Sequence, residues 1–434
     1  MQAVAIHHRL LFAPLLFCGV IFACSGEEKK RLEAADPSIS PPVEVFSWWQ
    51  RHGEVDVLGA LLEAHAARHP RDDILKANAN ASREARDTLT ARLLKGEPPD
   101  AFQANIGHDM MQWARANRGT PVESKLRKLS DLAEMRELLQ ALPPPVAKEI
   151  QAEGSPYCVP AMVHRENELF VNVDLLERLG YQVPSSLDEL LQLGEGLRQN
   201  DVSLLALGTE DPWPLSLLVL QSLVISMHGS QFYEDYFHGK LRPDDPRMLA
   251  TLSFALRLLA YVNQDHAQLN WEQASDLVAQ GKAAMIAMGD WAKAPLYGED
   301  EALGASIREI AFVGSQSTFV YTTDTFALPL GAKNEAGALR FLGTIASKQG
   351  QQAISRSTSS ISPRLDVRAS SSDPALAQKQ ELWTSGHLVL ALSGLLPPSL
   401  FAELSQALSD MLQEGRISPV VYTLRARYHL LGRP

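Results

Sequence analysis

Apolar residues follow two different spacings along most of the chain. Short β-rich runs such as VEVFSWW are followed by segments whose apolar residues recur every three or four positions, such as VDVLGALLEAHAARHP. The first spacing is typical of a strand and the second of an amphipathic helix. Their alternation predicts an α/β fold, with a mainly helical part from about residue 380.

Two long apolar stretches need a separate explanation. Residues 213–229 (WPLSLLVLQSLVISMHG) have a length and polar flanks that favour a buried helix over a membrane span. Residues 10–23 (LLFAPLLFCGVIFA) follow a short region with Arg9 and are too short to span a bilayer comfortably. We therefore interpret residues 1–23 as a signal peptide.

The end of this signal predicts how the protein is held. Cys24 follows Ala23 in the run IFAC, which resembles the bacterial lipobox, although Phe22 is larger than the usual residue. A lipid on Cys24 would hold the protein at a membrane surface of the cell envelope, with residues 24–42 as a polar tether. An ordinary signal peptide cut near Ala23 and an uncleaved anchor are the alternatives.

Charge and cysteine content exclude some partners and bonds. The chain of 434 residues has 40 basic and 51 acidic side chains and no basic run, so we expect no nucleic acid partner. It is long enough for two or three domains. Cys158 is the one cysteine of the folded part, so no internal disulfide is possible, and its apolar neighbours predict a packed thiol.

The sequence shows no motif typical of a catalytic site. No nucleophile is paired with a base, no metal-ligand spacing occurs among the 12 His and 3 Cys, and there is no Gly-rich phosphate loop. We therefore predict a protein that is not an enzyme and needs no cofactor or metal. A glycoside hydrolase is the catalytic alternative, because it would also stack sugars on tryptophan.

Seven segments carry a resemblance that covers about residues 43–405. They are VEVFSWWQRHGE, ARLLKGEPPDAFQ, YCVPAMVHREN, YQVPSSLDELL, LNWEQASDLVAQGKAAMIAMGDWA, TTDTFALPLGAKN and SSISPRLD. In this order they resemble the family 1 extracellular solute-binding proteins of bacterial ABC importers, especially the glucose/mannose-binding branch. The resemblance implies a saccharide ligand and a membrane permease that receives the loaded protein, and we expect a monomer.

The same resemblance implies a two-lobed periplasmic-binding-protein fold (class II), with a ligand cleft between the lobes and a hinge of crossing strands. Lobe 1 is expected to contain residues 43–165 and 323–350, and lobe 2 residues 166–322 and 351–434. The chain should cross between the lobes near residues 164–168, 320–326 and 347–351.

A sugar presents C–H groups that pack on aromatic faces and hydroxyls that need polar partners. The resemblance places cleft tryptophans at Trp49, Trp271 and Trp291, whereas burial tendencies alone favour an ordinary core aromatic at each position. Trp48 is expected to point into the lobe core, because successive strand residues face opposite sides.

Polar ligand-binding groups are expected first at Asp324, then at Gln103 and Glu54. A carboxylate on a crossing strand can accept two hydroxyl hydrogen bonds. The alternatives are a strand-end amide for Gln103 and a charge that favours a helix N-terminus for Glu54. His164 and Arg165 lie near a crossing, where they either support the hinge or contact the ligand.

The polar half of this site departs from glucose binders. Asn105 and Ser393 stand where these proteins have histidines, Thr358 stands where they have a lysine, and ANANASREAR lacks their Gly-Gly pair. An unmatched hydroxyl in a closed cleft costs roughly 1–3 kcal/mol. We expect these three positions to tune the site toward a different saccharide; the alternative is a degenerate fold with a sensory or assembly role.

Overall fold

The computed structural model of the protein describes residues 41–50, 53–78, 82–114, 124–297, 306–356, 360–369 and 374–431. The expected signal peptide, Cys24, most of the tether and Thr358 lie outside these ranges. Among the helices of the described residues, none has both the length and the apolar content that crossing a membrane requires.

The described strands form two main sheets and one small hairpin. In chain order they are β1 Val43–Ser47, β2 Ile74–Asn78, β3 Ala101–Asn105, β4 Gln151–Ala152, β5 Ser155–Pro156, β6 Cys158–Arg165, β7 Glu168–Asn172, β8 Ser203–Leu205, β9 Ala283–Met288, β10 Ile307–Ala311, β11 Thr318–Ala327 and β12 His387–Leu390. The larger sheet has the order β12-β11-β3-β1-β2, with β6 also paired to β11; the smaller has the order β10-β7-β9-β8, and β4 pairs with β5.

Helices connect these strands and cover both sheets. Before β7 they are Gly53–Arg68, Ser82–Lys95, His108–Met111, Met135–Ala141 and Pro144–Glu149. Between β7 and β11 they are Val173–Arg178, Leu187–Arg198, Trp213–Leu215, Val224–His228, Ser230–Phe237, Pro246–Leu259, Trp271–Ala279 and Lys293–Tyr297, with a π-helical run Ser216–Leu223. After β11 they are Glu335–Ala346, Lys348–Arg356, Pro374–Ser385, Leu392–Leu395, Pro398–Glu414 and Ser418–Arg427; short 3₁₀ turns lie at His266–Gln268, Asp290–Ala292 and Tyr428–Leu430.

Each main sheet has its own hydrophobic core, and this defines two lobes. The larger sheet packs a cluster that includes Phe102, Val163 and Phe326, and we call this part the first lobe. The smaller sheet separates two clusters, one around Leu205 and Leu223 and the other around Ile286 and Ala292; this part is the second lobe. Residues 213–229 lie mostly buried in it, which confirms the expected buried helix.

The chain passes between the lobes at three places. It leaves β6 at Arg165 and enters β7 at Glu168, as expected. The second crossing lies between β10 and β11, at residues 312–317, rather than at 320–326, because all of β11 pairs within the first sheet. The third lies where β12 ends, because β12 pairs with β11 of the first sheet, whereas Leu392, Leu396 and Leu400 after it pack in the second lobe.

The expected third crossing at residues 347–351 is wrong, and so is one lobe boundary. Ile345 and Ile354, on either side of this segment, both pack in the first core. Leu376 and Trp383 pack there as well. Residues 351–385, which the resemblance assigned to lobe 2, therefore contribute their described core side chains to the first lobe.

Two buried amides tie the crossings together. Asn167, on the first crossing, donates to the carbonyl oxygen of Ser315 on the second crossing at 3.3 Å and to that of Thr318, where β11 begins, at 3.0 Å. Gln221 donates to Glu166 at 3.1 Å and accepts from the backbone N–H of Leu392 at 2.9 Å, on the third. The three crossings thus form one hydrogen-bonded hinge.

Cys158 lies fully buried in β6 and is a free thiol. Burial raises the pKa of this thiol to about 12. A thiol that stays protonated and inaccessible is a poor nucleophile, which confirms the expected packed cysteine.

Gly107 and Gly394 allow the backbones of the two lobes to meet at the hinge. Gly107 has φ 85°, and a Cβ at this position would collide with the carbonyl oxygen of Gly394. Only glycine adopts this conformation readily and leaves room for the neighbouring backbone.

We expect Gly107→Ala to lower the free energy of unfolding by more than Gly415→Ala does. Gly415 also has a positive φ, 65°, but a Cβ added to it would have no other atom within 4 Å. The control should lose about 1–2 kcal/mol from conformation alone, and Gly107→Ala should lose roughly 1–3 kcal/mol more from overpacking. Urea unfolding measures both; equal losses would contradict the close contact.

Candidate functional site

A polar face lies where the parallel strands β1 and β3 end. Ser47, Gln103 and Asn105 lie on this face, and the register pairs Asn105 with Asp324 of β11 and Thr322 with His164 of β6. Carboxyl ends of parallel strands are where open α/β sheets bind ligands. The first lobe therefore presents its polar side chains next to the hinge.

Asp324 is the centre of this face and is only 5% exposed. Its Oδ2 accepts a hydrogen bond from Trp49 Nε1 at 3.0 Å and lies 3.4 Å from His164 Nε2. Oriented to donate, the Asn105 amide nitrogen lies 3.2 Å from Oδ1. A carboxylate offers about four acceptor sites, so these three donors leave room for one more, such as a hydroxyl.

Asn105 connects this centre to the edge of the first lobe. Its amide oxygen accepts from Arg86 Nη2 at 3.1 Å, and Asp109 Oδ2 accepts from both Arg86 Nε, at 3.2 Å, and the Asn105 backbone N–H, at 3.1 Å. The Arg86 guanidinium lies 5.5 Å from the centre of the Trp48 ring. Arg86, on the helix Ser82–Lys95, thus places a cation at the edge of the first lobe. It belongs to the segment ANANASREAR, which lacks the Gly-Gly pair of glucose binders.

His164 joins the first lobe to the second. Its Nδ1 lies 2.7 Å from Asp290 Oδ1, in the turn that follows β9 of the second lobe, and 3.2 Å from Ser360 Oγ. Burial alone would lower the pKa of this imidazole, but the carboxylates of Asp290 and Asp324 outweigh burial and raise it to about 10. His164 is therefore an imidazolium between two carboxylates at neutral pH.

Asp290 has a second cationic partner from the first lobe. Lys379, on the helix Pro374–Ser385, donates to Asp290 Oδ2 at 3.2 Å and also pairs with Glu309 of β10. Although burial by itself would raise the pKa of Asp290, Lys379 and His164 lower it to about 2. Burial lowers the pKa of Lys379, but Asp290 and Glu309 outweigh it, so the net shift is upward.

Aromatic side chains line the second lobe beside this ion cluster. The Trp291 ring centre lies 5.4 Å from that of His164 and 6.1 Å from that of Trp213. Trp271 packs on the same core and starts the helix Trp271–Ala279, which Asn270 and Gln273 cap reciprocally. These three tryptophans are partly exposed.

Trp48 and Trp49 have exchanged the environments expected for them. Trp49 is only 1% exposed, packs edge-on against Phe326 in the first core and reaches the site through its indole N–H alone. Trp48 is partly exposed beneath Arg86. The expectation assumed strand alternation, but β1 ends at Ser47, so alternation does not apply to the two tryptophans.

Gln103 lies fully buried in β3, where its Oε1 accepts a hydrogen bond from Ser47 Oγ at 2.6 Å. Its Nε2 has no partner among the described residues, and neither has Thr322 Oγ1 on the same face. Buried polar atoms are normally satisfied. Two groups without partners on one face therefore suit a site that a polar molecule completes.

The other predicted site residues lie at the margins. Glu54 is in the first turn of the helix Gly53–Arg68 and partly exposed, which agrees with the helix-start alternative. Ser393 is partly exposed in the helix Leu392–Leu395, next to the contact between Gly394 and Gly107. Thr358 lies outside the described residues.

Sequence reasoning missed Asp290, Lys379, Arg86 and Trp213. Asp290 had a signal, because it follows a buried strand in the motif MGDW and directly precedes Trp291. The sequence contains no such signal for Lys379, because only the tertiary fold brings its helix to the lobe boundary. His164 was predicted either to support the hinge or to contact ligand, and its two carboxylate contacts place it at the boundary of both lobes.

Comparison with known proteins places these features in a family. A model of bacterial extracellular solute-binding proteins matches residues 75–382. An uncharacterised ABC transporter extracellular-binding protein of Pyrococcus horikoshii is 28% identical over 421 residues, covering 93% of this chain and 91% of that protein. A probable sugar-binding periplasmic protein of Rhizobium meliloti is 26% identical over 329 residues, covering 75% of this chain and 77% of its own.

A solved structure shows the same architecture. A bacterial solute receptor described as preferring β-D-galactopyranose superimposes with a TM-score of 0.77 over 89% of this chain and 97% of its own, at 14% identity. At this identity the likeness bears on the fold alone. It confirms the expected two-lobed class II binding-protein fold.

We expect the contribution of His164 to stability to depend on pH. The folded pKa of about 10 lies above the ordinary value of 6.5, so its stabilisation is complete below pH 6.5 and disappears as the pH rises through 10. Urea unfolding from pH 5 to about 10 should therefore show a deficit in His164→Gln that shrinks with rising pH.

The exposed His387 provides a matched control for the loss of an imidazole, being 52% exposed on its side chain. His387→Gln should change the free energy of unfolding little across the same range. A deficit in His164→Gln that is constant with pH would show that this imidazole is not held charged.

Proposed function

Because the chain belongs to the bacterial extracellular solute-binding protein family, we propose that it binds a sugar between its two lobes and delivers it to the membrane permease of an ABC importer. The match over residues 75–382 supports the role of solute receptor. The name of the Rhizobium meliloti relative, a probable sugar-binding periplasmic protein, supports a sugar as the solute.

One observation carries the choice of site. Asp324, with one acceptor position left, lies on the first lobe beside a hinge whose second-lobe side bears Trp291 and Trp213. A sugar needs this combination, because its ring packs on an aromatic face while its hydroxyls take charged acceptors. Gln103 and Thr322 supply further polar atoms without partners among the described residues.

The charges at the lobe boundary favour a neutral saccharide. Asp109 pairs with Arg86, Asp324 with His164 and Asp290 with Lys379. An anionic ligand would add an uncompensated charge beside three carboxylates, which is costly in a buried site. In this proposal Asn105 serves to orient Asp324 and Arg86, Ser393 and Glu54 line the margin, and Trp271 extends the aromatic wall.

We also propose a location for the protein in the cell. The lipobox-like IFAC motif supports attachment through Cys24 to a membrane, outside the cytoplasm. The receptor itself is proposed to be a monomer. Thr358 is proposed as a further ligand-contacting residue from the resemblance alone. We propose binding without catalysis, since the boundary carboxylates Asp109, Asp324 and Asp290 each have a cationic partner.

A thermal-shift and tryptophan-fluorescence screen of monosaccharides and oligosaccharides tests this function. A ligand of the native state raises the melting temperature as its concentration increases. Asp324→Asn should weaken the best ligand by roughly 10–100-fold, because a hydrogen bond to a charged group contributes about 1.5–3 kcal/mol.

Asp131→Asn is the matched control, since Asp131 is an exposed first-lobe carboxylate paired with Arg127. It should leave the affinity unchanged. The proposal fails if no saccharide shifts either signal in the wild type, or if both variants bind equally well.

A further inference from the structure

A line of hydrogen bonds and ion pairs runs from the ligand-facing carboxylate of the first lobe into the second lobe. Asp324 lies 3.4 Å from His164 Nε2, and His164 Nδ1 lies 2.7 Å from Asp290. The strand β6 carries His164 with the first sheet, whereas Asp290 begins the turn after β9 of the second. One imidazole ring therefore contacts a carboxylate of each lobe at the same time.

These groups are held where water cannot replace a lost partner. His164 is 8% exposed, Asp290 4% and Lys379 3%. Buried charges are tolerated when they are paired, and removing one partner leaves the other uncompensated. A change in how strongly Asp324 holds His164 must therefore be felt by Asp290.

Asp290 is also placed to pass such a change on. It accepts from the Arg165 backbone N–H at 3.2 Å, and so holds its turn against the first crossing. The next residue in that turn is Trp291, whose ring contacts His164 edge-on. The position of the Trp291 face thus depends on the contacts of Asp290.

We propose that His164 is a positioning residue that couples the occupancy of Asp324 to the placement of the Asp290–Trp291 turn. This inference rests on the proposed function, because it assigns to a bound hydroxyl the role of fourth donor to Asp324. That hydroxyl draws on the same carboxylate charge and so weakens the hold of Asp324 on His164, and an imidazole that is held less firmly also bonds less well to Asp290. Coupling of this kind is a free energy shared between two sites and is reciprocal.

A purely structural ion cluster would behave differently. It would stabilise both lobes, but a change at Asp324 would not reach the second lobe through one particular side chain. The distinction can be measured in the ligand-free protein, because replacing Asp324 by asparagine removes the charge that holds His164 while keeping the shape of the side chain.

The experiment measures hydrogen–deuterium exchange of the second-lobe segment 289–297. It compares four proteins: the wild type, Asp324→Asn, His164→Gln and the double variant. Asp324→Asn should speed exchange of this segment several-fold, although Asp324 belongs to the other lobe. His164→Gln should do the same, and the double variant should exchange no faster than His164→Gln alone, since both changes break one link.

Asp100→Asn is the matched control. Asp100 is also a buried first-lobe carboxylate, 4% exposed, but it accepts from the backbone N–H groups of Glu44 and Asn334. It should leave segment 289–297 unchanged. If His164→Gln fails to fold, Asp290→Asn takes its place in the cycle, because it cuts the same link with an isosteric side chain.

Two results would overturn the coupling: unchanged exchange of segment 289–297 in Asp324→Asn, or additive effects of the two substitutions in the double variant. Neither depends on a saccharide. A failed saccharide screen would therefore count against the proposed function, whereas a failed exchange cycle would count against the coupling through His164.

Discussion

The pairing of the buried His164 imidazolium with Asp324 and Asp290 is the constraint on which the rest of the site depends. Each carboxylate is almost fully buried, and a buried carboxylate needs a charged or hydrogen-bonding partner. His164 supplies this partner for both, and Lys379 completes the neutralisation of Asp290. Because the two carboxylates belong to different lobes, satisfying their charges also fixes how the lobes meet.

Contacts between the three crossings of the hinge surround this pairing. Asn167 and Gln221 tie the three crossings to one another, and the glycine contact between residues 107 and 394 brings the two backbones together. The boundary therefore combines a polar face with the elements that must move if the lobes close.

Much of the architecture followed from local patterns, and part of the site did not. Periodicity and the ordered motifs predicted the α/β fold, the first crossing and the strand bearing Asp324. The third crossing was misplaced because its position at residues 347–351 was carried over from the resemblance, and only the packing of the neighbouring side chains shows that the chain stays in the first lobe there. Trp48 and Trp49 were exchanged because the strand ends at Ser47, before either tryptophan, so alternation does not apply to them. Lys379 was missed since its partners lie about 70 and 90 positions away along the chain, beyond any local pattern.

The central claim is that Asp324 receives the ligand at the lobe boundary, and a crystal structure with a bound saccharide tests it most directly. We expect a sugar hydroxyl within hydrogen-bonding distance of Asp324, with the sugar ring beside Trp291 and His164 still bonded to Asp290. A saccharide bound elsewhere, with Asp324 contacting only Trp49, Asn105 and His164, would contradict the claim.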